Sequence, residues 1–571
     1  MNILGISTFG YNPAACLIRD GELIAFVEEE RFTRVKTAHG AFPLHSIRYC
    51  LRAGAINLDA VKFVAMGWDA GKYRTFMPDF FEKSRARYPE KGAATLAWEK
   101  NCLAVYDPER VERVIREQLS AAKLGSVPEI RFIDHHLSHA ASTFFPSGLR
   151  DSAIITIDGS GEDRTTCVYR GDGADIRELE HYQIPQSLGW FYSTMTQFCG
   201  FKHNMDEGKL MGLAPYGASH ATIRSLMDRI ATIRGDRYEI DPTYTYYGEH
   251  APGRGFAKKL ADQLGSPRNA GEPLTDFYRN VAWEAQDKLE QIGMHLARRA
   301  MQLAGSTNLC LSGGVALNCK MNGLINQRAG VSELFVQPIS SDAGTALGAA
   351  LWLHRTETGQ RPTFTQRHMY YGPGYESDDI ERVLKACKLR YTRSRDVAKD
   401  MADRLAAGKL AAWFQGRMEA GPRALGHRSI LAHPGIADMK AKLNGEVKHR
   451  EMWRPFCPSF LTEKRHDWLL DSDDAPYMIV AQQANPDRAA RIPAVVHVDG
   501  SVRPQTVQRE IEPLYHSLIA HFDALTGVPL VLNTSFNIMG EPVICGPDEA
   551  VRCFYSTGLD TMAIGDFLID K

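Results

Sequence analysis

The sequence lacks the features that mark zinc ribbons, disulfide scaffolds and membrane proteins. Its 11 cysteines are scattered over 571 residues without a CxxC pair, which argues against a zinc ribbon, and the chain is too long for a disulfide scaffold. No apolar run is long enough to cross a membrane, and residues 1–4 lead into a predicted strand instead of a signal peptide. We therefore expect a cytoplasmic protein without a membrane partner.

An excess of charge of either sign is also missing. Lysine and arginine number 67 against 68 aspartates and glutamates, so no overall field attracts nucleic acid or an anionic membrane. The composition, with 44% hydrophobic and 24% charged residues, is that of an ordinary globular protein. The length predicts several domains, and nucleic acid is not an expected partner.

A pair of histidines follows an apolar stretch, residues 130–133, that reads as a buried strand. Asp134 is placed to cap a helix, and His135 and His139 would lie on one face of it, where both can bind one metal ion. The spacing alone is weak, because 19 histidines give roughly 0.6 such pairs by chance. No glutamate follows His135, so an HxxxH peptidase is a poor alternative.

A strand–turn–strand–turn–strand pattern occurs twice. Residues 2–27 carry the first copy, and residues 152–169 with the turn at 170–173 begin the second. The repetition predicts a duplicated α/β fold of the kind found in actin-like ATPases and sugar kinases, where small-residue loops let backbone N–H groups approach a phosphate. Two unrelated hairpins are the alternative interpretation.

Other segments of the first half allow a structural and a functional interpretation. The mixed charges of residues 28–34 predict a solvated face. Glu207 and Lys209 stand among glycines and apolar residues, which fits a surface turn or the lining of a cleft. Residues 218–275 are rich in loops and tyrosines, and we interpret them as an insertion that is a candidate lid or acceptor-binding region.

A predicted strand at residues 309–311 runs into a glycine-rich turn before the next helix. The turn contains Ser312, Gly313, Gly314 and Asn318. Helix N–H groups and the room left by glycine suit an anion, although Gly-Gly also serves plain turns.

Asp342 precedes a predicted helix of small residues, where it is either an N-cap or a ligand. Residues 356–374 are rich in glycine, proline and polar residues and indicate a domain boundary. We place the two domains at residues 1–358 and 359–571.

Beyond this boundary, cations alternate with glycine, proline and aromatic residues, which does not fit a solvated helix face. The pattern predicts a pocket for a phosphate-bearing, planar ligand, because arginine makes forked contacts to phosphate and lysine supplies a point charge. The candidate residues are Arg417, Arg423, Lys448, Arg450, Arg454, Ser535 and Asn537. A set of structural arginine–carboxylate pairs is the alternative.

Together these motifs resemble the O-carbamoyltransferases of the nodulation-factor and antibiotic type, the NodU/CmcH family. The resemblance is carried by residues 28–32, 135–142, 158–161, 207–217, 312–318, 342–348, 421–426, 454–456 and 533–541. It implies a duplicated actin-like domain followed by a YrdC-like α/β domain. The implied activity is ATP-dependent transfer of a carbamoyl group from carbamoyl phosphate, through carbamoyl adenylate, to a hydroxyl of a small-molecule natural product.

The resemblance also implies ligand sets. The metal ligands would be His135, His139, Asp158 and Asp342, a set that suits Fe, the expected ion, or Mn or Zn, and disfavours Ca. ATP, accompanied by Mg, would occupy the cationic pocket, and the adenylate would bind at residues 312–318. A homodimer is a candidate assembly.

The sequence departs from the family pattern where a general base is expected. Tyr11 and Asn12 stand in the first turn, where the family often has His-Asp, and His39 is displaced from its usual place behind Lys36. Asn12, His39 and Lys209 are the catalytic candidates, and the general base stays open. A tRNA threonylcarbamoyl-type transferase and a non-enzymatic actin-like ATP-binding protein are the alternative functions.

Overall fold

The computed structural model describes residues 1–87, 93–471 and 473–571. The chain forms two compact units, one of Met1–Ala25 and His39–Thr365 and the other of Phe26–Ala38 and Gln366–Lys571. The first unit thus ends after residue 365, whereas the sequence analysis placed the boundary after residue 358. The sequence patterns also did not reveal that Phe26–Ala38 leaves the first unit and joins the second.

The strands, in chain order, are β1 (Asn2–Ser7), β2 (Ala14–Arg19), β3 (Glu22–Glu28), β4 (Val61–Met66), β5 (Glu129–Phe132), β6 (Asp151–Ile157), β7 (Arg164–Asp172), β8 (Asp175–Gln183), β9 (Ala231–Arg234), β10 (Arg237–Ile240), β11 (Asn308–Ser312), β12 (Glu333–Val336), β13 (Thr392–Arg393), β14 (Ala411–Phe414), β15 (Arg428–Ala432), β16 (Cys457–Leu461), β17 (Gln482–Gln483), β18 (Ser501–Val502), β19 (Gln505–Val507), β20 (Leu530–Ser535), β21 (Thr561–Ile564) and β22 (Phe567–Asp570).

The α-helices are α1 (Glu30–Thr33), α2 (Leu44–Ala53), α3 (Ala70–Arg87), α4 (Ala93–Val105), α5 (Pro108–Ala121), α6 (His135–Phe144), α7 (Leu188–Phe198), α8 (Glu207–Leu213), α9 (Ala221–Ile230), α10 (Pro242–Thr245), α11 (Lys258–Leu264), α12 (Asp276–Ala304), α13 (Cys319–Arg328), α14 (Ala343–Thr358), α15 (Ser377–Ala386), α16 (Val397–Ala406), α17 (Met439–Lys442), α18 (Pro486–Ala489), α19 (Pro513–Thr526) and α20 (Pro547–Tyr555). None of the helices in the described ranges combines the length and apolar character needed to span a bilayer.

The first unit is built on two five-stranded sheets with the same strand order. One runs β3-β2-β1-β4-β5 and the other β8-β7-β6-β11-β12. In each, the central strand pairs antiparallel with its hairpin partner, as Ile3 opposite Ile18 and Ile154 opposite Tyr169 show, and parallel with a strand reached by a long crossover. This repeated topology confirms the predicted duplicated actin-like α/β fold.

Small residues let helix α14 lie close to the first sheet and to helix α6. A Cβ on Gly5 would stand 2.0 Å from the carbonyl oxygen of Ala346, and one on Gly348 would stand 1.7 Å from that of Ser138. Only glycine fits at both contacts. Asp134 accepts a hydrogen bond of 2.9 Å from a backbone N–H of α6 and caps that helix, as predicted. The starts of α6 and α14 are therefore held in fixed positions.

The second unit contains an eight-stranded mixed sheet, ordered β13-β22-β21-β14-β15-β20-β16-β19. Its central strands β14 and β15 are buried along their whole length. Trp413, Phe414, Leu518 and Phe522 belong to one core, with strand and helix side chains interlocking. This is the α/β class predicted for the C-terminal domain.

The charged segment at residues 28–34 is packed inside the second unit, so the predicted solvated face was wrong. Glu28 and Arg31 are only 4% and 2% exposed. A carboxylate oxygen of Glu28 accepts a hydrogen bond of 2.7 Å from Gly421 N, and Arg31 donates one of 2.8 Å to Gly421 O. Arg34 donates to the carbonyl oxygen of Val543 at 2.7 Å. The charged groups of this segment thus bond to backbone groups hundreds of residues away, and Arg31 also pairs with Glu28 and Glu30.

Candidate functional site

Four side chains from three separate segments of the first unit converge on one point. His135 and His139 lie one turn apart on α6, Asp158 follows β6, and Asp342 precedes α14. One ligand atom from each side chain lies within 4.8 Å of the others. We call these four residues the tetrad. The structure thus brings together the four residues that the sequence analysis assigned to a metal.

The tetrad imidazoles present their Nε2 atoms to the carboxylates. His139 Nε2 lies 3.0 Å and His135 Nε2 3.6 Å from Asp158 Oδ2, and His135 Nε2 lies 3.9 Å from Asp342 Oδ1. Both Nε2 atoms are buried, and neither has a hydrogen-bond partner of good geometry among the described residues. Outer partners hold the rings: His135 Nδ1 is 3.3 Å from a backbone oxygen, and His139 Nδ1 is 3.2 Å from Ser312 Oγ.

The charge state of the tetrad shows that its negative charges crowd one another. Burial and then the neighbouring Asp158 raise the pKa of Asp342 to about 7. Burial also opposes charge on Asp158, but the two imidazoles hold its pKa well below the ordinary value. Part-buried carboxylates placed side by side are stabilised by a cation between them. Two imidazole nitrogens and two carboxylates are a donor set that fits Fe, Mn or Zn.

His136, between the tetrad histidines, has a different environment. Its Nδ1 lies 2.8 Å from Thr156 Oγ1. Burial lowers its pKa to about 3, so the ring is neutral. The contact gives His136 a structural place between α6 and β6.

The glycine-rich turn at residues 312–318 borders the tetrad. Gly314 N donates to Asp158 Oδ2 at 3.2 Å, and Gly159 N donates to Asp158 Oδ1 at 2.6 Å. Gly313 has a φ of 91° and lies against the backbone of Ile157, where a Cβ would stand 2.3 Å from a carbonyl oxygen. Two turns of the second sheet therefore hold Asp158 in place.

Two polar side chains assigned to the adenylate are engaged inside the protein. Ser312 is fully buried and hydrogen-bonded to His139. The amide of Asn318 exchanges hydrogen bonds of 2.9 and 3.0 Å with Gln286 and accepts one of 3.0 Å from Met321 N, which caps α13. The part-exposed residues of this turn are Gly314, Val315 and Leu317.

The three catalytic candidates lie in different surroundings. Asn12 has a φ of 52° in the first turn. The exposed ring of His39 packs on Tyr11, with ring centroids 4.3 Å apart. Lys209 forms an ion pair of 3.1 Å with Asp206. The catalytic role of these three residues stays a prediction.

Residues that the sequence analysis did not single out complete the surroundings of the tetrad. Glu162 is buried and accepts hydrogen bonds from Asp69 N at 2.7 Å and His135 N at 3.0 Å. The ring of Trp68 lies edge-on to His135 with centroids 5.3 Å apart and stacks on Tyr106 at 4.5 Å. In the sequence, Trp68 could have been noticed only as an aromatic residue just beyond a buried strand, and that signal is weak.

The second unit holds a buried cationic cluster around Lys448. This lysine is 3% exposed and donates to Ser535 O, to Asn537 O at 2.9 Å and to Asn537 Oδ1 at 2.9 Å. Within the described residues it has no carboxylate partner. Burial and the nearby Arg450 lower its pKa well below the ordinary value. The predicted proximity of Lys448, Ser535 and Asn537 is what the structure shows, and we call these three residues the lysine cluster.

Arginines flank the lysine cluster. Arg450 donates to Asn444 Oδ1 at 2.8 Å and lies 4.7 Å from the ring centroid of Phe456. Burial and then Arg454 lower the pKa of Arg450 to about 9. Arg454 is 3.7 Å from Glu451. Positive charge is therefore concentrated beside Lys448.

Two other arginines of the second unit donate hydrogen bonds to backbone carbonyl oxygens. Arg417 donates to the carbonyl oxygens of Tyr371 at 2.7 Å and Gly372 at 3.2 Å. Arg428, which no prediction included, is fully buried, donates to several carbonyl oxygens and lies 3.7 Å from the ring centroid of Phe414. Backbone carbonyl oxygens are thus partners of both arginines, and a ligand-binding role for Arg417 stays a prediction.

The chain matches two family descriptions, "Carbamoyltransferase N-terminus" over residues 2–351 and "Carbamoyltransferase C-terminus" over residues 402–571. It is 35% identical to an uncharacterised protein of Synechocystis sp., covering 100% of this chain and 97% of the relative. Nodulation protein NolNO of Sinorhizobium fredii is 35% identical over 99% of this chain and 80% of its own length. The 3'-hydroxymethylcephem-O-carbamoyltransferase of Amycolatopsis lactamdurans is 37% identical over 63% of this chain and 64% of its own. The chain therefore belongs to the carbamoyltransferase family and is an enzyme of carbamoyl transfer.

Proposed function

We propose that the protein transfers a carbamoyl group from carbamoyl phosphate to a hydroxyl of a small-molecule acceptor, with ATP as the activating substrate. Carbamoyl phosphate and water give carbamate and phosphate. A carbamate oxygen then attacks the α-phosphorus of ATP, pyrophosphate leaves, and carbamoyl adenylate forms. The acceptor oxygen finally attacks the carbamoyl carbon, the bond to AMP breaks, and the hydroxyl proton is released.

The observation that carries this proposal is that Lys448 is buried and hydrogen-bonded to neutral oxygens. A buried ammonium group held only by neutral oxygens costs free energy until an anion compensates it. Arg450 and Arg454 add positive charge at the same place. Phosphate groups of carbamoyl phosphate and of ATP with its Mg supply the missing negative charge. We assign adenylate formation to the second unit on this basis.

The first unit is assigned the transfer step. Gly313 and Gly314 let the backbone of the turn lie against Ile157 and Asp158, and the phosphate of the adenylate would bind at the part-exposed side of this turn. His135, His139, Asp158 and Asp342 would hold a metal ion, for which Fe is our first choice and Mn or Zn the alternatives. When bound, such an ion acts as a Lewis acid toward the carbamoyl carbonyl or orients the phosphate.

Residues that hydrogen-bond to the tetrad hold its side chains in the orientation that metal binding needs. Ser312 fixes the ring of His139, and Gly159 N and Gly314 N fix both oxygens of Asp158. Rotating these groups into place at the moment of reaction would cost time and free energy, and here they are already oriented.

The test is AMP formation from carbamoyl phosphate and ATP, followed by mass spectrometry of hydroxylated acceptors for a gain of one carbamoyl group. Lys448→Ala should lower the rate of pyrophosphate release at least about a hundredfold, because an uncompensated phosphate charge costs several kcal/mol in a buried site. Lys464→Ala is the matched control, since Lys464 is an exposed lysine of the same unit paired with Asp523.

Two results would contradict the proposal. One is pyrophosphate release by Lys448→Ala at the rate of the parent enzyme. The other is carbamoylation of an acceptor by the parent enzyme with no consumption of ATP, which would remove the adenylate from the reaction.

A further inference from the structure

A loop of the second unit carries one of the hydrogen-bond partners of Lys448. Residues 536–546 lie between strand β20 and helix α20 and belong to neither element. Asn537, near the start of this loop, accepts hydrogen bonds of 2.9 Å from Lys448 at its backbone oxygen and at its side-chain oxygen. We call residues 536–546 the asparagine loop. The orientation of the Lys448 ammonium group therefore depends on where this loop is held.

Arg34 holds the far side of the asparagine loop. Its Nη1 atom donates a hydrogen bond of 2.7 Å to Val543 O, and its Nη2 atom donates one of 2.8 Å to Pro542 O. One planar guanidinium group thus spans two successive carbonyl groups, which suits the rigid fork of arginine donors. Because proline has no N–H, hydrogen bonds can hold the backbone at Pro542 only through its oxygen.

Contacts inside the loop connect this restraint to the lysine cluster. Asn537 Nδ2 donates to Glu541 O at 2.8 Å, and Ile544 N donates to Phe536 O at 3.0 Å. The two sides of the loop are therefore bonded to each other. A shift of the backbone at Pro542 would move the amide group that faces the buried lysine.

The segment that carries Arg34, Phe26–Ala38, belongs to the second unit and reaches the neighbourhood of the lysine cluster. Burial lowers the pKa of Lys448, and the positive charges of Arg450 and then of Lys36 lower it further. Lys36 is thus close enough for its charge to act on the buried ammonium group. The contacts of the segment with the asparagine loop are made beside the cluster that the loop helps to form.

Arg34 is not suited to bind a phosphate itself. Both of its Nη atoms donate to carbonyl oxygens of the loop. Nη1 also lies 3.4 Å from Glu549 Oε2, and a carboxylate at that distance repels an approaching phosphate. Any contribution of Arg34 to a phosphate site must therefore pass through the loop that it holds.

We propose that Arg34 is a positioning residue of the phosphate site in the second unit: it fixes the asparagine loop, and the loop orients Lys448 toward the phosphate of the substrate. This inference rests on the proposed function and deepens it, because it makes a segment near the N-terminus part of the site that forms the adenylate. Arg34 acts through Asn537 and touches no reacting atom.

The test measures the affinity of the full-length protein for inorganic phosphate by calorimetric titration, with Lys448→Met as the measure of phosphate bound elsewhere. Arg34→Met removes the fork, and we expect phosphate to bind about tenfold more weakly, because a displaced ammonium group makes a poorer charge-assisted hydrogen bond. Arg34→Lys keeps the charge beside Glu549 but offers a point charge in place of the fork, so its affinity should fall about threefold.

Arg404→Met is the matched control. Arg404 is an arginine of the same unit that makes a forked contact with Asp570, at 3.0 and 2.8 Å. This variant also loses a guanidinium group and a pair of hydrogen bonds, but Asp570 lies in β22, outside the asparagine loop. It should bind phosphate with the affinity of the parent protein.

A double variant tests the route through the loop. Asn537→Ala removes the side-chain oxygen to which Lys448 donates. If Arg34 acts through this residue, Arg34→Met should weaken phosphate binding less than about threefold in the Asn537→Ala background. Losses that simply multiply in the double variant would show that Arg34 does not act through Asn537.

Phosphate affinity of Arg34→Met equal to that of Arg404→Met would overturn the inference. So would a lower stability and a smaller binding fraction with an unchanged dissociation constant, which is the result expected of a purely structural residue. Urea unfolding and the calorimetric stoichiometry report these quantities, and Arg34→Lys is judged by the same criteria if the methionine variant does not fold.

The inference and the proposed function fail in different ways. Pyrophosphate release by the parent protein, together with full phosphate affinity in Arg34→Met, would refute the inference alone. A parent protein that binds phosphate through Lys448 but releases no pyrophosphate would refute the adenylate route and leave the role of Arg34 standing, because the phosphate titration requires no turnover.

Discussion

The tetrad of the first unit and the lysine cluster of the second are buried sites of opposite character. At the tetrad, Asp158 and Asp342 bring two carboxylates together. The Nε2 atoms of the two histidines have no hydrogen-bond partner among the described residues. At the lysine cluster, an ammonium group meets neutral oxygens of Ser535 and Asn537. The first site suits a cation and the second suits an anion.

The contrast shows how burial selects a ligand. Desolvation makes an uncompensated charge expensive, so each site binds a partner of opposite sign more strongly than an exposed group would. Arg31 is the internal reference for this comparison. It is as deeply buried as Lys448 but has Glu28 at 3.4 Å and Glu30 at 3.1 Å. A buried cation that is already compensated is a structural element and not a binding site.

The largest expected effect is that of His139→Ala, which should impair the tetrad and leave the lysine cluster intact. His139→Ala removes one of the tetrad nitrogens, and we expect bound metal to fall at least about tenfold and carbamoyl transfer at least about a thousandfold. Pyrophosphate release by the second unit should persist. Elemental analysis and the two rate assays measure this. His181→Ala, at a histidine outside the tetrad, is the control. If His139→Ala holds as much metal as this control, the proposed metal site is wrong.

A second prediction compares the two buried cations. Arg31→Met should destabilise the second unit by about 3 kcal/mol, because it leaves Glu28 and Glu30 buried without their cation. Lys448→Met removes an uncompensated charge and should change stability by less than about 1 kcal/mol. Urea unfolding of both variants measures this. A greater loss for Lys448→Met than for Arg31→Met would show that the lysine is structural.

A third prediction concerns the outer contacts of the tetrad. Ser312→Ala removes the oxygen 3.2 Å from His139 Nδ1 and should weaken metal affinity about tenfold by freeing the ring orientation. Chelator competition measures the affinity. Ser332→Ala, a change at an exposed serine outside the site, is the matched control. If the two variants hold metal equally well, Ser312 does not position the histidine.

The smallest effect is a pH dependence at the lysine cluster. Burial lowers the pKa of Lys448, and phosphate binds there while the lysine is protonated. Affinity should therefore be full below that lowered pKa and fall as pH rises through it, well before an ordinary lysine loses its proton near about 10.4. We therefore expect the affinity for inorganic phosphate to fall on the alkaline side at a lower pH than the pKa of an ordinary lysine would give.

Calorimetric titration measures this loss, and Lys448→Met supplies the background from the ionisation of phosphate itself. A pH profile that is the same in parent and variant would contradict the assignment.

Much of the fold could be predicted from short-range patterns. Hairpin turns such as the one at Asp20 and Gly21 and the cap at Asp134 are local, so the residues themselves indicate them. The charged segment at residues 28–34 was misassigned because its partners, Gly421 and Val543, are distant in the chain. Charge composition alone does not distinguish a solvated segment from one whose partners are far away.

The residues of the candidate sites could be predicted only in part. The tetrad and the lysine cluster were assigned through family motifs, and the structure brings both sets together. Ser312 and Asn318 were assigned to a ligand, yet they bond to His139 and Gln286. Which face of a turn points inward depends on packing by other segments. Trp68 was missed because only the converged sheets place it beside His135.

The crossing of Phe26–Ala38 into the second unit has a consequence for synthesis of the protein. This segment leaves the ribosome early, whereas Gly421 and Val543, which it binds, are translated hundreds of codons later. At roughly 5–20 residues per second the wait lasts tens of seconds. During that interval Phe32 lacks the side chains of Met418, Val543 and Cys545, on which it packs in the folded protein.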